Sequence, residues 1–109
     1  MNFAKLQKAG AFVSKKPVAK EIVWEHEVDG AQREDKFTIY IRRLSAGDAE
    51  KLYTGTKDTS LSATVISECI RTDESSNTPL LTYDQAYQLD TGLSRVFLDA
   101  INEVNSPKN

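Results

Sequence analysis

The sequence contains one cysteine, Cys69, and one histidine, His26, among its 109 residues. A lone thiol permits no intrachain disulfide and fits a reducing compartment. No second cysteine or histidine stands at metal-ligand spacing, so a zinc-type ligand set is not recognisable. Long apolar runs are missing as well. Nothing approaches the ~20 consecutive apolar residues of a membrane span, and no charged segment is followed by a continuous apolar stretch and a cleavage site. The five glycines are scattered: Gly47, Gly55 and Gly92 belong to no Gly-rich turn followed by lysine and a hydroxyl, which removes a phosphate loop. Charge of a single sign is also lacking. Fourteen basic and sixteen acidic residues give a net charge of −2, with neither sign concentrated enough for a nucleic-acid or membrane surface. The expectation is a soluble cytoplasmic protein of one domain, residues 1–109, with one modest core.

The best-defined stretch runs from Lys36 to Ser45. Phe37, Ile39 and Ile41 alternate with Thr38, Tyr40 and Arg42, the period of a strand that buries one face. Val18 to Val28 reads as its partner, with Ile22, Trp24, His26 and Val28 on one face and Val23, Glu25 and Glu27 on the other. Asp29-Gly30 is a turn signal. The run of polar and small residues through Asp35 nevertheless reads as a longer exposed loop. The result is an antiparallel hairpin, about 18–28 and 36–43, whose inner face joins Ile22, Trp24 and Val28 to Phe37, Ile39 and Ile41. Such a hairpin is marginal alone and needs a helical cover or another chain's strand.

Helices follow. Ser45 with Asp48 starts one over about 46–54, and Gly55 with Thr56 ends it. Ser60 or Thr59 caps another over about 61–72, with Leu61, Val65, Ile66, Cys69 and Ile70 on one face. Asp73 to Pro79 is a loop. Thr82-Tyr83-Asp84-Gln85 is a capping box that opens a helix over about 83–90. Leu93, Val96, Phe97, Ala100, Ile101 and Val104 mark the clearest helix, about 93–104, which should pack on the sheet and on the helix over 61–72. Residues 1–17 read as a flexible, solvated arm carrying Lys5, Lys8, Lys15 and Lys16, with at most a short helix. Residues 105–109 read as a frayed tail. The fold class is α+β.

No constellation points to catalysis. A strand sends Glu25 and Glu27 to the face opposite His26, so the imidazole lacks converging partners. Cys69 lies in an apolar helical stripe, where a thiol behaves as a small hydrophobe. The acidic residues Asp73, Glu74, Asp84 and Asp90 stand where loops and helix starts ordinarily carry acids. Tyr40 with Arg42 is too little for an RNA-reading sheet. No catalytic residue, metal ligand or cofactor is expected.

In its order of motifs, Trp24-Glu25-His26, Asp29-Gly30 and then Phe37 through Arg42-Arg43-Leu44-Ser45, the chain resembles a tail assembly chaperone of long-tailed bacteriophages. Ala63 to Ile70 is similar to that family's middle helix, and Pro79-Leu80-Leu81-Thr82 to the apolar stretch after its acidic loop. Leu93-Ser94 and Phe97 to Asn105 match its closing helix. The likeness spans roughly residues 18–105, and departs from the family in lacking a glycine-containing turn within Asp73 to Thr78.

The resemblance implies a non-enzymatic protein of the host cytoplasm. It would bind and solubilise the tape measure protein, help recruit tail tube protein, self-associate, and be absent from the finished virion. Nucleic acid and membranes are not among its partners. An apolar surface for amphipathic client helices is then required. The candidates are Tyr53, Leu80, Leu81, Tyr83, Tyr87 and Leu98, each with core packing as the competing reading. Trp24, Tyr40 and Arg42 are the candidates for a self-association hairpin. The alternative function is a structural tail or head-completion protein retained in the virion, because a hairpin with an open edge also suits strand addition.

Overall fold

Alternating apolar residues over Val18–Val28 and Ala31–Ile41 form two antiparallel strands, β1 and β2, joined by Asp29 and Gly30. The structure, a computed structural model, describes residues 1–55, 58–75 and 77–106. β2 begins earlier than the sequence suggested, and there is no seven-residue loop. Asp29 and Gly30 both have positive φ, 51° and 82°, the pattern of a two-residue type I′ turn whose twist matches the flanking strands. Pairing starts at once, with Val28 opposite Ala31. Gln32, Arg33 and Glu34 are polar because this part of the ribbon is solvated on both faces, which composition alone does not separate from a loop.

The base of the hairpin is buried. Ile22 faces Phe37 directly, and Ile22, Ile39 and Ile41 enter the core with half-buried Trp24 and Phe37 against it. Val28, expected on the same inner face, is exposed near the tip. Arg42 and Arg43 lie beyond the end of β2.

Helix α1 (Phe3–Lys8) precedes the sheet, capped by Asn2, and buries none of its residues. After β2 comes α2 (Ala46–Thr54). The Ser45 hydroxyl accepts the Asp48 N–H at 3.1 Å, and Gly55 closes the helix; the expected contribution of Thr56 falls outside the described residues. The next helix, α3 (Leu61–Cys69), is capped by Ser60 and stops short of the expected Thr72. Ile70 turns extended instead (φ −95°, ψ 125°), and Ile70–Arg71 form β3 against Tyr40–Ile41, giving the order β1-β2-β3. The free hydrogen-bonding edge of β2 supplies the reason: the Arg42 N–H donates to the Cys69 carbonyl at 2.7 Å. Leu61, read as part of the buried stripe, is exposed at the first turn of α3.

The chain then reverses between Arg71 and Pro79, which bridge to each other. Asp73 accepts the Ser75 N–H at 2.8 Å and the Ser75 hydroxyl at 3.0 Å, so a side-chain turn stands in place of the glycine-containing turn that the resemblance leads one to expect; Ser76 is outside the described residues. Helix α4 is Tyr83–Tyr87, shorter than expected. Its capping box is complete, Thr82 and Gln85 each accepting the other's N–H. Helix α5 runs Thr91–Asn105, begun by Asp90, which accepts the Leu93 N–H at 3.0 Å.

Helices α3 and α5 cover one face of the sheet and pack on each other, as the periodicity of α5 required. Val65, Ile66, Cys69, Phe97, Ala100 and Ile101 meet the hairpin isoleucines in one cluster, and Phe97 sets its ring edge against Phe37 (6.2 Å, 89°). No helix among the described residues is long and apolar enough to cross a membrane.

Candidate partner-binding surfaces

The sequence-derived candidates divide by burial. Leu81, Tyr83 and Leu98 are half-buried and pack against the core. The hydroxyl of Tyr83 accepts the Ser60 N–H at 2.9 Å, which ties α4 to the start of α3 and satisfies one of that helix's free donors. Tyr87, one turn on, is 67% exposed, and the two tyrosine rings lie 6.1 Å apart at 28°. Leu80 is 43% exposed just before the capping box. Leu61 follows the Ser60 amide that Tyr83 holds, and it is exposed to the same degree, 42%. It was missed because helical spacing put it on the stripe that Val65 and Ile66 occupy; the stripe fades at the helix's first turn. Tyr53 is exposed on α2, a different element.

Trp24, Tyr40 and Arg42 are not brought together. Trp24 lies on the core side of the ribbon, and its indole stacks on His26 with centroids 3.6 Å apart and planes 7° apart. Tyr40 alternates to the opposite face. The Arg42 guanidinium is tied to Asp48 (3.0 Å) at the start of α2, with Glu68 of α3 at 3.7 Å.

His26 does have a partner. Its Nε2 lies 2.6 Å from Asp35 Oδ2, and Arg33 Nε donates to Asp35 Oδ1 at 3.3 Å. The hydrogen bond to His26, with Arg33 assisting, holds the Asp35 carboxyl below its ordinary value. The short turn explains the miss: with Val28 opposite Ala31, Asp35 falls diagonal to His26 on one face. Burial pushes the Cys69 thiol up to about 11, which keeps it protonated and suited to packing. Among the described residues no group of His, Cys, Asp and Glu could hold a metal ion.

Two of the stretches that carry the resemblance meet in space. Asn105, the last residue of α5, accepts the Leu44 N–H at 2.8 Å through Oδ1, and its Nδ2 donates to the Arg42 carbonyl (3.3 Å) and the Ile101 carbonyl (3.1 Å). The Arg42-to-Ser45 exit of β2 is thereby clamped by the Glu-Val-Asn ending of the closing helix. Asn105 is therefore no part of a frayed end; residues 107–109 of that expected tail are outside the described residues.

The family model described as phage tail assembly chaperone, TAC, matches residues 4–105. The chain belongs to the phage tail assembly chaperone family. Its match includes most of the N-terminal arm, which the motifs alone did not reach. No curated protein and no solved structure gave a significant match. Membership in a chaperone family speaks for a non-enzymatic role with protein partners in tail assembly.

Proposed function

We propose that this tail assembly chaperone binds the tape measure protein, keeps it soluble, and helps recruit tail tube subunits while the tail is built. It acts in the host cytoplasm and is left out of the finished virion. The observation that carries this reading is the exposure of three large apolar side chains, Tyr87 on α4, Leu80 just before it and Leu61 at the start of α3, which the Tyr83 hydroxyl ties to α4 through the Ser60 amide. Large exposed apolar side chains suit the apolar stripe of an amphipathic client helix. Tyr53 offers a further contact on α2.

Co-expression with the tape measure protein of the same phage tests the reading. The native chain should raise the soluble fraction of the client and co-purify with it. Tyr87→Ser combined with Leu80→Ser should abolish both effects while shifting the chaperone's own stability by no more than about 0.5 kcal/mol per substitution, since both sites are exposed. A client that stays insoluble beside the native chain, or is rescued equally by the variant, refutes the proposal. Mass spectrometry of purified virions separates it from a structural tail or head-completion role, which requires the chain in the particle.

A further inference from the structure

Between the open edge of β1 and helix α5 runs a groove of ≈ 170 Å³, room for an aromatic ring. Ile22, Val23, Val96 and Ala100 form its apolar part, with Glu21 and Asp99 at its rim. Lys20, also at the groove, is neutralised by an ion pair with Glu103. Among the described residues Glu21 and Asp99 have no basic partner. The groove is thus apolar and net acidic.

The N-terminal arm has the opposite character. Residues 1–16 carry Lys5, Lys8, Lys15 and Lys16 and no carboxylate. Phe3 and Phe12 pack on each other, 5.2 Å between centroids, yet remain 62% and 55% exposed, and Leu6 is exposed beside them in sequence. Helix α1 buries nothing in its own chain. A preformed pair of aromatic rings left in water is costly surface that an interface would remove.

The arm's own groove is on the wrong side for it. Val13, Ser14, Lys15 and Pro17 line a recess with Arg71 and Asn77, and Lys16 lies 3.7 Å from Glu74. The base of the arm therefore leaves toward β3, whereas the groove lies along β1, at the other edge of the sheet. We propose that the arm docks in trans: Phe3 or Phe12 of one copy fills the β1–α5 groove of a second copy, with its lysines set against Glu21 and Asp99. This assigns a self-association surface distinct from the exposed set around α4 and independent of client binding.

The test is a charge exchange on the full chain, read by sedimentation velocity over a range of concentrations. The native chain should self-associate, and more weakly at high salt because the pairing charges are exposed. Phe3→Ser with Phe12→Ser should remove association without loss of folding, both residues being exposed. Lys5→Glu with Lys8→Glu, and separately Glu21→Lys with Asp99→Lys, should each weaken it on the order of tenfold. Mixing these two variants should restore it, since each then offers an arm opposite in sign to the other's groove. A native chain that stays monomeric, an arm that cross-links only within its own chain, or a mixture no stronger than its components overturns the proposal.

Discussion

The base and the tip of the β1–β2 hairpin are made from the same two strands in one register, yet they are held by different forces. At the base Ile22, Ile39 and Ile41 are buried against α3 and α5, and the strand exit is clamped by Asn105. From Glu25 to Glu34 every residue except His26 is exposed. There the ribbon depends on the Asp29-Gly30 turn, the Trp24–His26 stack and the His26–Asp35 contact. Apolar burial binds the base to the whole domain, whereas polar cross-strand contacts bind the tip only to itself. The tip should therefore open locally at a free energy well below that of global unfolding.

Perturbations at either end sharpen this contrast. The largest effect belongs to Phe97→Ala, which removes the ring against Phe37 and leaves a cavity. A loss of about 3–5 kcal/mol is expected, a large part of the ~5–15 kcal/mol of a typical domain. Urea unfolding followed by circular dichroism should show it; an unchanged midpoint would mean the core is organised elsewhere. Asn105→Ala comes next. It leaves the Leu44 N–H and the Arg42 carbonyl without their side-chain partner, at a cost of about 1–3 kcal/mol in the same measurement.

Gly30→Ala should cost less, about 1–2 kcal/mol, and locally. An added Cβ meets nothing within 4 Å, so the penalty is that of a left-handed backbone at φ 82° alone. Amide exchange at the tip should quicken while the base keeps its protection. If the two change together, the hairpin is one cooperative unit. The smallest effect is that of acid. Because the folded Asp35 carboxyl titrates below its ordinary value, its stabilisation is fully present above about pH 4 and is lost as pH falls through the lowered folded value. Trp24 fluorescence should report the loss, and Asp35→Asn should remove this part of the acid response.

What could be read in the sequence follows from the same division. β1 and the body of α5 were legible because burial imposes a period on residues such as Ile22, Phe97 and Ile101, and α2 because Ser45 and Gly55 mark its two ends. Polar strand residues from Gln32 to Asp35 carry no such period, so the length of β2 depended on taking Asp29-Gly30 as a two-residue turn. β3 was hidden because Ile70 continues the apolar stripe of α3, and only the exposed edge of β2 pulls it out of the helix. Of the candidate surface residues, exposure distinguishes Tyr53, Leu80 and Tyr87 from Leu81, Tyr83 and Leu98, and no spacing rule could have done so. The family was legible in the Arg42-to-Ser45 and Glu103-to-Asn105 segments; that they touch was not.

That contact also sets a clock on the growing chain. Asn105 and Leu44 are 61 positions apart, so at about 5–20 residues per second a ribosome needs roughly 3 to 12 seconds to deliver Asn105 after Leu44. During that interval β1 and β2 can already pair, but their inner face stays uncovered until α3 and α5 arrive, and the exit waits unclosed with an amide facing water. This tail assembly chaperone thus completes its own structure only when its closing helix has emerged.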